Sequence, residues 1–67
     1  MRKDYQQRVY DERSELSGKI AKLEAFTNDP AFQGVPKDER ARMTMQLIIM
    51  QAYERILLQR IEAFEGP

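Results

Sequence analysis

Apolar residues in the first third of the chain fall at Tyr5, Val9, Leu16, Ile20, Leu23 and Phe26, in steps of three, four and seven. Such steps return to one face of a helix, and the alternation of a strand is absent. Asp4 and Gln7 have the spacing of a capping box, in which side chains satisfy free backbone N–H groups at a helix start. The pattern predicts a first helix over residues 4–27, of which Tyr5 to Phe26 spans about 33 Å. Gly18 costs about 1 kcal/mol relative to Ala inside a helix, so it either marks the close approach of another chain or is tolerated. From Thr27 to Pro36 the chain reads Thr-Asn-Asp-Pro-Ala-Phe-Gln-Gly-Val-Pro, a dense group of turn formers. This is a connection over 28–36, with room for a helical turn around Ala31 to Gln33 and with Phe32 and Val35 closing the end of a hairpin.

The second segment starts at Pro36, suited to a first turn, and meets no breaker until Gly66-Pro67. Asp38 and Glu39 follow where the helix dipole favours negative charge. A helix over 37–65 carries one stripe of Met43, Leu47, Met50, Leu57, Ile61 and Phe64, interrupted by Glu54. A second stripe lies beside it: Met45, Ile48, Ile49, Ala52, Tyr53 and Ile56. A surface helix of a monomer needs about one apolar stripe. One antiparallel partner covers the first stripe and leaves the second wet, a patch larger than a soluble monomer normally tolerates. The fold expected is therefore all-α: a single helical domain over residues 1–67, an antiparallel two-helix hairpin, assembled into a homo-oligomer with the second helix at its centre.

Composition narrows the function. The 67 residues include no Cys and no His, which removes disulfides and the usual zinc and haem sites. At this length folds usually need a disulfide, a metal or a partner subunit, and the subunit is what remains. Eleven basic residues balance eleven acidic ones, which argues against polymeric DNA or RNA as a partner. No apolar run approaches a membrane span, and Met1-Arg2-Lys3-Asp4 leads into polar sequence rather than a signal peptide, so the chain reads as soluble and intracellular. No nucleophile–base pair, phosphate-cradling glycine loop or dinucleotide fingerprint is present. An enzyme is the poorest class, and no cofactor is expected.

The polar face of the first helix gathers Arg8, Glu12, Glu15, Lys19 and Lys22 in a narrow arc, with Tyr5 on its edge. The plain reading is a solvated face laced by i,i+4 pairs such as Arg8–Glu12 and Glu15–Lys19. The sharper one is a ligand site with an aromatic to stack on a base and a lysine to meet a phosphate. Tyr5 and Lys19 are fourteen residues apart, about 21 Å along a helix, so no small ligand touches both within one subunit. Two antiparallel copies bring Tyr5 of one chain near Lys19 of the other, twice, which suits a ligand with two bases and two phosphates. Glu12 with Glu15, or Glu62 with Glu65, has carboxylate spacing for a divalent ion but no converging third ligand, so no metal is expected. Met43, Met45 and Met50 are core fillers or an adaptable groove, and Tyr53 is an interface aromatic. Arg55 and Arg60 suit the end of the helix dipole, or an anion site where chains meet.

Certain stretches are more specific than helix periodicity requires: Asp4-Tyr5-Gln6-Gln7-Arg8-Val9-Tyr10-Asp11-Glu12, Glu15-Leu16, and Lys19-Ile20-Ala21-Lys22-Leu23-Glu24-Ala25-Phe26. So are Glu39-Arg40, Met45-Gln46-Leu47-Ile48-Ile49-Met50, Tyr53, Ile56-Leu57 and Arg60-Ile61-Glu62-Ala63-Phe64. Together they resemble the small phage family related to a crAss-like phage protein, which includes the anti-CBASS cyclic-nucleotide sponge. The resemblance implies a viral immune-evasion protein in the cytoplasm of the infected bacterial host. It implies a small helical homohexamer that sequesters cyclic dinucleotides such as cyclic GMP-AMP between antiparallel N-terminal helices, without cleaving them. Some members hold cyclic trinucleotides in separate pockets. Carried over by position, Tyr5 stacks on a base, Lys19 contacts a phosphate with Lys22 or Arg8 beside it, and Arg60 serves a trinucleotide pocket. Gly18, Tyr10 and the glycine in Phe32-Gln33-Gly34-Val35-Pro36 depart from the expected pattern and bear on ligand preference more than on fold. The rival reading is a helical adaptor whose second-helix groove binds and inhibits a host protein.

Overall fold

The computed structural model describes residues 3–66, which form two long helices joined by a short helical turn. Helix α1 runs Asp4–Thr27, a 3-10 turn Pro30–Gly34 follows, and helix α2 runs Lys37–Glu65. Among the described residues there is no strand. The helices are antiparallel: Tyr10 near the start of α1 donates its hydroxyl to the carboxylate of Glu65 at the end of α2. Further along, Gln51 donates to Glu24 Oε2 at 3.3 Å. The result is a rod of 48 × 17 × 15 Å.

The α1 start differs in register from the Asp4–Gln7 capping box. Lys3 is the N-cap in extended geometry, and its carbonyl accepts from the Gln6 and Gln7 N–H groups at 3.0 Å. Gln6 supplies the reciprocal contact, its Oε1 accepting from the Lys3 N–H at 3.1 Å. A lysine side chain has no acceptor, so only this half of the box operates. Asp4 instead lies in the first turn, favoured by the dipole, and Gln7 bonds Asp11 at 3.0 Å. Likewise Pro36 is the N-cap of α2 rather than its first helical residue: its ψ of 144° is extended, while its carbonyl accepts from Arg40 N–H at 2.9 Å.

Side chains organise the connection. Asp29 Oδ1 accepts from the Ala31 N–H at 2.8 Å and Pro30 opens the turn. Phe32 is thereby driven under the end of the hairpin, edge to face with Phe26 at 5.7 Å. Val35 is half-buried beside it. Arg40 reaches back from α2, its Nε donating to the Val35 carbonyl at 3.1 Å and its Nη1 to Gln33 Oε1 at 3.0 Å, which ties α2 to the turn.

The core is a single seam. Val9, Leu16 and Ile20 of α1 pack with Leu57 and Ile61 of α2, and Tyr10, Leu47, Met50 and Phe64 close its edges. Leu57 is fully buried. Met43, Leu23 and Phe26 are half-buried. The second α2 stripe stays outside: Met45, Ile48, Ile49, Tyr53 and Ile56 are 41–65% exposed. Within the chain Gly18 has no packing reason, since a Cβ there meets nothing within 4 Å.

Two measurements check this packing. Leu57→Ala is expected to lose about 2–5 kcal/mol in chemical denaturation, because the seam has few other side chains to close the cavity. Gly18→Ala is expected to raise the unfolding free energy by about 1 kcal/mol, since helix propensity improves and nothing in the hairpin is displaced.

Candidate functional site

The cations of the α1 polar face are not consumed by the expected ion pairs. Neither Arg8–Glu12 nor Glu15–Lys19 forms; among the described residues the one ion pair is Arg42–Glu39 at 2.8 Å. Exposed i,i+4 pairs are worth only a few tenths of a kcal/mol, too little to fix two long side chains. Arg8, Lys19 and Lys22 are exposed and make no hydrogen bond or ion pair among the described residues.

Lys19 and Lys22 stand together at one end of the site. With Leu23 and Phe26 of α1, and Gln46 and Met50 of α2, they line an open groove of about 340 Å³. Gln46 and Met50 also wall a second groove of about 330 Å³, with Arg42, Met45 and Ile49. The lysine pair is thus continuous with the exposed apolar face of α2. A charged head placed beside apolar walls is less well screened than one projecting into water, which strengthens any contact with an anion.

Tyr5 belongs to the other end. It is 51% exposed and meets Phe64 edge to face, with ring centroids 6.1 Å apart and planes at 89°. Gln6 Nε2 lies 3.4 Å from its hydroxyl. Arg8 follows within a turn of Tyr5, and Arg60 lies one turn before Phe64 on α2, also exposed and without a hydrogen bond or ion pair among the described residues. The structure therefore brings Lys19 to Lys22, and Tyr5 to the Phe64 end of α2 where Arg60 stands. It does not bring Tyr5 to Lys19, which remain fourteen positions apart on one straight helix, about 21 Å.

Two residues add to this inventory. Tyr10 packs on Phe64 at 5.6 Å and bonds Glu65, so this second aromatic is a packing residue of the seam. Arg13 is half-buried, and its Nε is shielded from water with no partner among the described residues. It lines an open cleft of about 500 Å³ with Tyr10, Ser14, Ser17, Gly18 and Ala21. The seven-residue step from Val9 to Leu16 is the signal that Arg13 occupies a position near the seam that an apolar residue leaves vacant. No group of three or more His, Cys, Asp or Glu side chains converges to hold a metal among the described residues. No described helix is long and apolar enough to cross a membrane.

A family model supplies the remaining observation: that of Sequestin matches residues 3–63. The chain belongs to the Sequestin family. The matched span contains Tyr5, Arg8, Lys19, Lys22 and Arg60, and both helices of the seam. The name of a Sequestin points to binding and sequestering rather than to catalysis. No curated protein and no solved structure matches the chain.

Proposed function

We propose that the protein is a phage sponge that binds cyclic dinucleotide immune messengers, such as cyclic GMP-AMP, and withholds them from host effectors without cleaving them. The observation that carries the reading is the pairing of an exposed Tyr5 with unpaired Lys19 and Lys22 on one helix of a Sequestin. An aromatic face binds a purine and a free ammonium binds a phosphate. Their separation of about 21 Å supports a site made from two antiparallel α1 helices, each giving its Tyr5 to one half of the ligand and its Lys19 to the other. Arg8 and Lys22 are the auxiliary phosphate contacts. Arg60, at the far end of α2, is the contact for a cyclic trinucleotide in a separate pocket.

The site requires an oligomer, and the exposed α2 stripe supports one. Met45, Ile48, Ile49, Tyr53 and Ile56 form a continuous apolar face along about three turns that no described part of the hairpin covers. Buried between α2 helices of neighbouring chains, it stabilises a homohexamer in the cytoplasm of the infected cell. A stoichiometric inhibitor must hold its ligand near nanomolar, about −12 kcal/mol. Two stacking contacts and two charge-assisted phosphate contacts in a shielded cleft are of the size required.

Calorimetric titration with cyclic GMP-AMP is expected to give one ligand per two chains. Tyr5→Ala and Lys19→Ala are each expected to weaken binding by at least about 30-fold, because each removes its contact twice. Unchanged affinity in both variants overturns the site assignment. Silence of the wild type across cyclic di- and trinucleotides overturns the sponge and favours a helical adaptor that receives a host protein on α2.

Assembly is tested separately. Ile49→Asp is expected to shift the sedimenting species from oligomer toward the 7.9 kDa chain, since it places a charge in the centre of the exposed stripe. An oligomer that survives this change removes α2 from the interface.

A further inference from the structure

Tyr5 occupies the second position of α1, in the terminal turn, which frays most readily. An exposed tyrosine there samples several side-chain rotamers, and freezing them opposes binding. The structure nonetheless gives its ring a defined neighbour. Phe64 lies 6.1 Å away with its plane perpendicular, an edge-to-face contact that leaves at least one face of Tyr5 open. Phe64 is in turn fixed by Tyr10, whose ring packs against it at 5.6 Å and 63° and whose hydroxyl is bonded to Glu65. Tyr10, Phe64 and Tyr5 thus form a chain of rings running from the buried seam to the exposed one.

We infer that Phe64 is a positioning residue for ligand: it holds the Tyr5 ring in one orientation with a face presented to an incoming purine. The inference rests on the sequestering role proposed above for Tyr5. Phe64 does not touch the base. It acts by lowering the ordering cost of the ring that does, which is preorganisation. Tyr10 packs against Phe64 at 5.6 Å and is itself held by its bond to Glu65, so the Phe64 ring has a second aromatic neighbour besides Tyr5.

The test compares Phe64→Leu, which keeps apolar volume but removes the ring, with Phe64→Tyr, which keeps the ring. Binding of cyclic GMP-AMP is expected to weaken about tenfold in Phe64→Leu and to be restored in Phe64→Tyr. Helix content and oligomer size are measured alongside. Equal affinity for wild type and Phe64→Leu overturns the inference, and so does an equal loss in both variants, which marks a packing role only. A second readout needs no ligand. The Tyr5 ring protons, assigned with Tyr5→Phe, are expected to be displaced by the Phe64 ring current in wild type and in Phe64→Tyr, and to return toward free-tyrosine positions in Phe64→Leu. Identical Tyr5 resonances in wild type and Phe64→Leu overturn the positioning. A wild type that binds no cyclic nucleotide overturns the sequestering role, whereas the ring resonances still decide whether Phe64 sets Tyr5.

Discussion

A hairpin of two helices has one seam, and everything else in this molecule follows from how narrow that seam is. Val9, Leu16 and Ile20 face Leu57 and Ile61, with half-buried neighbours along the edges and a phenylalanine pair capping the turn. Each helix can present only about a third of its circumference to the other. The remaining surface must be polar, or must be covered by something outside the chain. Helix α1 largely takes the first course: away from the seam it exposes charged, polar and small residues, with Tyr5 its one exposed large apolar side chain among the described residues. Helix α2 does not, and its row from Met45 to Ile56 stays in contact with water. The asymmetry between two helices of similar length is what the proposed assembly rests on.

The seam is also less apolar than its length allows. Glu54 interrupts the α2 stripe and is half-buried, while Arg13 holds an Nε away from water without a partner among the described residues. Each substitutes polarity where a leucine would add about 1.5–3 kcal/mol of burial. Polar groups at such positions disfavour registers that would bury their charged ends. The bonded pairs Tyr10–Glu65 and Gln51–Glu24 at the two sides of the hairpin act in the same direction, fixing α1 against α2 along the axis.

Helix periodicity made most of the fold legible. The two stripes are carried by residues whose spacing admits little besides helix, and Gly66 ends α2 with a φ of 80° that other residues rarely adopt. Asp29-Pro30 set the turn between them for the same local reasons. What escaped was register at the ends. Lys3 acts as N-cap through its backbone although its side chain cannot accept a bond, and that geometry leaves no mark in residue type. The candidate site was legible in composition but not in grouping. Tyr5, Lys19 and Arg60 are visible as types, yet that Tyr5 leans on Phe64 and that Lys22 shares a groove with Met50 depends on the pairing of α1 with α2. The absence of the Arg8–Glu12 and Glu15–Lys19 pairs was likewise not to be had from spacing, because spacing gives opportunity and side-chain entropy decides occupancy.

The proposed site and the proposed assembly meet in the length of α1. A helix that separates its aromatic from its lysine by about 21 Å cannot close around a small molecule by itself, and stiffness prevents it from bending to do so. In the proposed site each end is instead one half, completed by a second, antiparallel helix. Binding and association are then linked: a ligand held by two chains favours the associated state by mass action, and a preassembled oligomer spares the ligand the translational cost of bringing the chains together. In the proposed assembly the exposed apolar row of α2 supplies that association without using Tyr5, Arg8, Lys19 or Lys22. The proposed arrangement thus has its assembly row on α2 and its stacking aromatic and phosphate cations on α1, whose Arg8, Lys19 and Lys22 have no partner among the described residues.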